Sequence, residues 1–343
     1  MAYDNVAVLI PAYKPDAQLI QVVNGLLGIG FSRIVVVDDG NGEAGRPIFE
    51  QLKGKAEVLC HEVNRGKGAA LKTGLKHLMT TEGLSVVTAD ADGQHTPADC
   101  ARIADALIAN PGALILGVRD KRRMPMRSKT GNVITCFTVW LLFGLRISDT
   151  QTGLRGIPAR MLKRYASLEG DRYEYETLVL LDARETRIQI VELAIETIYL
   201  DGNASSHFDT FRDSERIYRL LFRYFTEKNG VSLVATLVDY TVFLLLLWLL
   251  PVKALAAAVF GARIVSAAAD WLMHRKTDRF LRGKAIPLYC IRVVVMVVAS
   301  WLGIWALTFL GVSPVLSKFI ADVVLFAPSL WLRFGLDMRK DNR

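Results

Sequence analysis

Apolar positions in the first two hundred residues come as short runs separated by helical patterns. Val6-Ala7-Val8-Leu9-Ile10 is an apolar run of buried-strand length, ended by Pro11-Ala12-Tyr13-Lys14-Pro15. Leu19, Ile20, Val22, Val23, Leu26 and Leu27 then recur at helical spacing. Arg33-Ile34-Val35-Val36-Val37 is a second strand running into Asp38-Asp39-Gly40, and a helix leads to the strand Ala56-Glu57-Val58-Leu59. A glycine turn, Asn64-Arg65-Gly66-Lys67-Gly68, opens a helix through Leu78, and Val86-Val87 feeds the segment Thr88 to Pro97. This alternation predicts an α/β fold with a mostly parallel sheet and helices on both faces. Ligands of such sheets bind beyond the carboxyl ends of the strands. Pro11 to Tyr13, Asp38-Asp39 and Asp90 to Gln94 all fall there.

The pattern changes near residue 212. Arg212, Arg216, Arg219 and Arg223 share one helical face, and Ile217, Leu220, Leu221, Tyr224 and Phe225 form another. Four apolar stretches follow at 231–250, 254–273, 287–310 and 314–333, each near the ~20 residues that cross a bilayer. The basic stretch 275–284 and the basic tail alternate with two tiny, nearly uncharged connections, which puts the basic segments on the cytosolic side. The expectation is a globular domain over 1–211, an amphipathic interfacial helix over 212–230 and a four-helix transmembrane domain over 231–343. That is a multi-pass protein of the cytoplasmic membrane, its lipid-bilayer partner met from the cytosolic face. Asp239, Arg263, Arg292, Lys318 and Asp322 sit within the spans, with Asp239–Arg263 and Arg292–Asp322 as expected pairs. A shorter apolar run, Val133 to Phe143, is a core helix or an interfacial one.

Composition sharpens this division. The 343 residues suffice for two domains, 52% are hydrophobic, and mean hydropathy is +0.28, high for an ordinary soluble enzyme. The net charge of +8 concentrates around the apolar stretches, so it points to phosphate and anionic lipid and not to nucleic acid. Cys60, Cys100, Cys136 and Cys290 are scattered without metal-ligand spacing, as reduced thiols would be. No cleavable signal peptide is expected at the N-terminus.

The chemistry centres on Thr88-Ala89-Asp90-Ala91-Asp92-Gly93-Gln94. In an extended chain Asp90, Asp92 and Gln94 point the same way and offer only hard oxygen donors. Mg²⁺ or Mn²⁺ suits such a set, completing its shell with water and substrate phosphates. Two glycine patterns compete. Gly40-Asn41-Gly42-Glu43-Ala44-Gly45 fits a dinucleotide-binding turn, but Asp38, Asp39 and Glu43 would repel a pyrophosphate. Gly66 to Gly74 departs from a P-loop at Leu71, although Lys67 at the helix start can still meet a phosphate.

Taken in order, Ile10-Pro11-Ala12-Tyr13, Val35-Val36-Val37-Asp38-Asp39-Gly40, Asn64 to Gly68 and Asp90 to Gln94 resemble a GT-A family 2 glycosyltransferase. Asp149-Thr150-Gln151-Thr152-Gly153-Leu154-Arg155 narrows the resemblance to the polyprenyl-phosphate branch, which includes dolichol-phosphate mannosyltransferase and bactoprenol glucosyltransferase. The resemblance implies that Pro11, Ala12, Tyr13, Asp38 and Asp39 seat the nucleoside. Lys67, Ala89, Asp90 and Ala91 would line the donor, and Asp90, Asp92 and Gln94 would hold the metal and diphosphate. Asp201 to Phe208 resembles the family's closing motif, with His207 in place of the mannosyl branch's lysine. Residues 231–343 are similar to the GtrA-like family.

The implied reaction moves a hexose, glucose or mannose, from a UDP- or GDP-sugar to a polyprenyl phosphate with inversion. Asp92 would act with the metal, and Arg119, Arg127 and Arg155, with Lys129 nearby, would hold the acceptor phosphate. Two alternatives stay open: a processive polysaccharide synthase, and a lipid-sugar flippase or scaffold with a donor-sensing domain. A homo-oligomer is compatible with either.

Overall fold

A computed structural model of the chain describes residues 3–198, 209–251, 254–274 and 286–338. Backbone contacts divide it into two compact units. The first holds Met1–Trp140 and Leu145–Leu220, the second Leu141–Gly144 and Leu221–Arg343.

The first unit is built on seven strands: β1 (Val6–Ala12), β2 (Ile34–Asp38), β3 (Glu57–Cys60), β4 (Ser85–Thr88), β5 (Leu114–Arg119), β6 (Arg155–Ile157) and β7 (Ile190–Ile195). Their order in the sheet is β3-β2-β1-β4-β6-β5-β7. The first four are parallel, as expected, with Ala12 opposite Asp38 and Leu9 opposite Thr88. The three-residue β6 runs antiparallel to both neighbours, making the sheet mixed, and β7 returns parallel to β5.

Helices α1 (Ala17–Ile29), α2 (Gly42–Glu50) and α4 (Pro97–Ala109) lie with one face of the sheet, and α3 (Lys67–Leu78), the short α6 (Leu162–Tyr165) and α7 (Glu174–Glu185) with the other. Val8, Ile10, Val36 and Val87 point into the first core, and Ala7, Leu9, Val35, Val37 and Val86 into the second. This period of two is why the strands read as unbroken apolar runs: both faces are covered. The helix starts are capped locally, Asp16 accepting from Gln18 N for α1 and Thr96 from Asp99 N for α4.

Helix α5 (Met126–Phe143) contains the apolar run that was either core or interfacial. Val139 and Phe143 are buried, whereas Met126, Val133, Ile134 and Phe137 are exposed. It is two-faced.

The second unit contains the end of α8 (Thr210–Leu249), then α9 (Leu255–His274), α10 (Ile286–Phe309) and α11 (Pro314–Met338). These helices fall where the four apolar stretches lie. Among the described residues, however, no helix is long and apolar enough to cross a membrane. The expected four-helix transmembrane domain and the multi-pass membrane location are therefore corrected. Ionisable residues stand within these helices, Asp239 in α8, Arg263 in α9, and Lys318 and Asp322 in α11, and such groups are costly in hydrocarbon. Asp239 is 2.5 Å from Lys318 and 3.4 Å from Arg263, and Lys318 is 3.2 Å from Asp322. Arg263 also meets Asp322 directly. So the expected Asp239–Arg263 pair is one edge of a four-membered cluster whose Asp239 and Lys318 are fully buried. The side chain of Arg292 and the basic stretch 275–284 lie outside the described residues.

Candidate active site

The parallel strands β1, β2 and β4 end side by side, and their continuations meet. Asp39 N donates to Ala12 O and Ala89 N donates to Leu9 O, which carries the ladder one residue beyond the strands. At the tip of β2, Asp38 accepts from the backbone N (2.9 Å) and side-chain Nδ2 (2.6 Å) of Asn41. Asn41 Nδ2 also donates to Ala12 O, and its Oδ1 accepts from Lys14 N. Gly40 to Gly45 therefore cross-links two strand tips and starts α2, and it forms no dinucleotide turn. Tyr13 stands at the rim with the Lys14 ammonium 5.4 Å from its ring.

Asp39 is buried, and both carboxylate oxygens are used. Oδ1 accepts from Arg65 N (2.9 Å) and lies 2.8 Å from His61 Nδ1; Oδ2 accepts from Gly66 N (2.8 Å) and Asn64 Nδ2 (3.0 Å). A single carboxylate thus shapes the glycine turn. Gly66 holds φ +102, a left-handed backbone, and a Cβ there would come 2.4 Å from Asp171 O. Only glycine fits this turn, and it delivers Lys67 as the first residue of α3.

Lys67 Nζ lies 2.6 Å from Asp90 Oδ1 and 2.9 Å from Glu176 Oε1. Burial favours the neutral amine, but Asp90 and Glu176 outweigh it and hold the ammonium above the ordinary lysine range. Burial would raise the Asp90 carboxyl, yet the Lys67 ammonium outweighs it and holds it down at about 2. Asp92 goes the other way, pushed up to about 6 by burial and by the neighbouring charge of Asp90. Its Oδ1 accepts from Gln94 N at 3.1 Å, and Gln94 is buried. His95 Nδ1 accepts from Asp90 N (3.3 Å), so the ring proton sits on Nε2. Burial lowers its pKa and keeps the ring neutral. Ala89 and Ala91 are the small residues flanking Asp90, and Ala89 is buried in the core.

The segment Asp149 to Arg155 supports these groups from beneath. Arg119 at the end of β5 makes a two-pronged contact with the buried Asp149, at 2.7 and 3.0 Å. A Cβ at Gly153 would sit 2.3 Å from Asp90 Oδ2, so glycine there lets Asp90 settle onto the loop. Thr88 Oγ1 donates to Gly153 O at 2.7 Å. Arg155 differs from expectation. It is buried, and its Nε, Nη1 and Nη2 donate to the carbonyls of Thr152, Glu176 and Thr150. A guanidinium so engaged ties the loop to α7 and presents no fork to a phosphate. Arg127 is exposed on α5 and lies within electrostatic reach of Asp209. His207 lies outside the described residues.

A cavity of 610 Å³ opens beside the carboxyl ends of β5 and β7, lined by Arg119, Lys121, Arg123, Ser148, Glu196 and Thr197 among others. Thr197 forms an isolated bridge with His95, which places this cavity beside the Asp90 turn.

In the sequence, Glu174 and Glu176 alternate near Arg172, which suggests a pair with an acceptor-site arginine or a solvated face, whereas in the structure Glu176 pairs with Lys67. Glu174 instead caps the turn before α7, accepting from Asp171 N and Arg172 N. Nothing in local spacing links Glu176 to Lys67, more than a hundred positions away. Asp149 is visible in the sequence as part of the Asp149–Arg155 motif, but nothing there marks it as the partner of Arg119, thirty positions away. Among the described residues no group of three or more His, Cys, Asp or Glu is arranged to hold a metal ion. Asp90, Asp92 and Gln94, two carboxylates and an amide, follow one another just past the end of β4.

Residues 7–165 match the model of glycosyl transferase family 2. The match ends before α8–α11. The UDP-N-acetylglucosamine–dolichyl-phosphate N-acetylglucosaminyltransferase of Methanococcus voltae is 31% identical over 242 residues, spanning 64% of this chain and 96% of the relative. The dolichyl-phosphate beta-glucosyltransferase of Dictyostelium discoideum is 25% identical over 250 residues, spanning 64% of this chain and 76% of that protein. Among solved structures, glucosyl-3-phosphoglycerate synthase from Mycobacterium tuberculosis, in complex with Mn²⁺, UDP-glucose and phosphoglyceric acid, superimposes with a TM-score of 0.50. That likeness covers 66% of this chain and 80% of the other at 17% identity, and it speaks to the fold alone. Strand tips carrying Asp38, Asp90 and Asp92, on a sheet shared with that synthase, agree with the family match: the chain belongs to glycosyl transferase family 2 and is an enzyme of that family.

Proposed function

We propose that the enzyme transfers a hexose from a UDP-sugar to a polyprenyl phosphate of the dolichyl type. The observation that carries this reading is the convergence of Asp38 at the end of β2 with Asp90, Asp92 and Gln94 after β4, on either side of β1, in a chain aligned over nearly the whole length of a dolichyl-phosphate N-acetylglucosaminyltransferase. The relatives' names favour glucose or N-acetylglucosamine over the mannose alternative.

Asp38, with Pro11, Ala12 and Tyr13 beside it, would seat the nucleoside. Asp92 and Gln94, aided by Asp90, would hold Mg²⁺ or Mn²⁺. The fit rests on their chemistry: all donors are hard oxygens, and Asp92 is pushed up to about 6 by burial and by Asp90, a repulsion that a bound cation relieves. Such an ion, when bound, would neutralise the departing diphosphate as a Lewis acid.

The acceptor phosphate is largely dianionic near neutral pH and needs no dedicated base, only positioning. Arg119, set rigidly by Asp149, faces the cavity that would receive it, and Arg127 is a second, exposed cation. A phosphate oxygen forms a bond to the anomeric carbon while that carbon's bond to the diphosphate oxygen breaks. The electron pair leaves with UDP, and the centre inverts. Arg155 and Asp39 take supporting roles, fixing the loops that carry Asp90 and Lys67. The exposed apolar face of α5, formed by Met126, Val133, Ile134 and Phe137, supports an acceptor with a hydrocarbon tail.

The test is transfer by purified protein with Mn²⁺, dolichyl phosphate or undecaprenyl phosphate, and labelled UDP-glucose, UDP-N-acetylglucosamine and GDP-mannose. A chelator-sensitive, organic-extractable product from a UDP-sugar is expected. Product from GDP-mannose alone would overturn the donor assignment, and sugar release to water without lipid product would overturn the acceptor.

A further inference from the structure

The donor-side strand tip contains an ionic chain whose last member has no assigned role. Glu176, in the first turn of α7, is almost fully buried, with its side chain 5% exposed. Its carboxylate meets Lys67 Nζ at 2.9 Å, and Lys67 in turn meets Asp90 at 2.6 Å. Its backbone carbonyl accepts from Arg155, so α7 is pinned where this contact is made. Lys67 is pinned as well. Its backbone follows the Asp39-held turn, and the first turn of α3 is tied to the segment before α7 through Ala69 N to Asp171 O.

A lysine with one carboxylate partner at this tip would neutralise Asp90 outright. With two, its charge is shared. Asp90, Asp92 and Glu176 are three carboxylates against two cations, Lys67 and the buried Arg155 guanidinium that acts on Glu176, leaving a surplus of one negative charge. Arg119 does not cancel that surplus, because the fully buried Asp149 matches it. A negative surplus at Asp90 and Asp92 complements a cation and would be costly without one.

We propose that Glu176 is a positioning residue for the metal site. By holding Lys67 against itself it divides the lysine's charge between two carboxylates, leaving Asp90 anionic enough to join Asp92 in binding a divalent cation. This rests on the metal reading of Asp92 and Gln94 given above. Glu176 touches neither donor nor metal and acts through Lys67.

The sign of the effect separates this role from a purely structural one. In Glu176→Gln, Lys67 pairs with Asp90 alone, the site loses a negative charge, and cation affinity falls about tenfold. In Lys67→Gln the positive charge disappears, and affinity rises by a similar factor. A variant that merely loosened the fold would weaken binding in both cases. In the double variant Glu176→Gln/Lys67→Gln, the Glu176 effect shrinks to about threefold or less, since its route through the lysine is gone.

The experiment is Mn²⁺ titration of the full chain without donor, followed by the electron paramagnetic resonance signal of free Mn²⁺. It uses wild type, Asp92→Asn, both single variants and the double variant, each checked by circular dichroism for retained fold. Weaker binding in Glu176→Gln, tighter binding in Lys67→Gln and non-additivity in the double variant support the proposal. Wild-type affinity in Glu176→Gln, with binding lost in Asp92→Asn, would overturn it while leaving the metal site standing. Binding unaltered by Asp92→Asn would overturn the metal reading and the proposal with it. Should Glu176→Gln not fold, Glu176→Asp, which keeps the charge but draws it back from Lys67, must still weaken Mn²⁺ binding.

Discussion

Substituting Asp39 by Asn is a demanding test of how the donor side is held, because the change is isosteric and removes little but acceptor capacity. Oδ1 faces the donors His61 Nδ1 and Arg65 N, while Oδ2 faces Asn64 Nδ2 and Gly66 N. Whichever way the new amide turns, its NH₂ group confronts a pair that includes a backbone N–H. His61 can answer by exchanging its ring proton, but Arg65 N and Gly66 N cannot. The protein then loses a charge-assisted acceptor and leaves at least one buried donor unmet. At about 1.5–3 kcal/mol for each of these two losses, the local cost is roughly 3–6 kcal/mol. A chain of two units need not unfold in one transition, so the assay is hydrogen exchange of peptides covering residues 57–72. Amide protection there should fall by roughly 10²–10⁴-fold where exchange reports local opening. The displaced Lys67 should lower transfer as well. Protection within about threefold of wild type would refute the view that this one carboxylate holds the turn.

Three further outcomes follow from the same geometry. Gly153→Ala puts a methyl within 2.3 Å of Asp90 Oδ2 and should cut Mn²⁺ affinity by about tenfold or more, measured by the same titration, with little change in peptides from β1 and β2. Arg155→Ala leaves three buried carbonyls unmatched and should destabilise the first unit by roughly 3 kcal/mol, whereas Arg127→Ala should leave stability unchanged and raise only the KM for the lipid acceptor. Because the Asp92 carboxyl is pushed up to about 6, protons compete with the cation below that pH. Mn²⁺ affinity should therefore be flat above about pH 7 and fall as pH drops through 6, read by titration at pH 5, 6 and 7.5.

Much of the donor side was legible in the chain because it is built from local signals. Strands β1, β2 and β4 carry apolar runs, and the candidate donor-side residues stand at or just past their ends, Asp38 as the last residue of β2 and Asp90 two residues beyond β4, so locating the strands placed these candidates. Gly66 announced a turn that nothing but glycine can make. The short β6 gave no such signal: it has three residues, and the first is an arginine. Arg155 misled for the same reason, since an arginine after a polar turn suggests a phosphate ligand, whereas its partners are carbonyls set by tertiary contacts. The Glu176–Lys67 and Arg119–Asp149 pairs join residues far apart in sequence, and no periodicity encodes them. In the C-terminal part, hydropathy located α8–α11 but did not fix their surroundings. Asp239, Arg263, Lys318 and Asp322 meet one another in a compact cluster, and that arrangement is a property of packing.

Transfer by Asp92→Ala, compared with wild type under saturating UDP-sugar, Mn²⁺ and dolichyl phosphate, bears most directly on the central claim. The strand-tip account predicts that the variant folds, since Asp92 makes only a local contact to Gln94 N, and that its lipid-linked product falls by at least about 10²-fold. Undiminished lipid-linked product from a folded Asp92→Ala protein would contradict the assignment of this carboxylate, and with it the reaction centre placed at the end of β4.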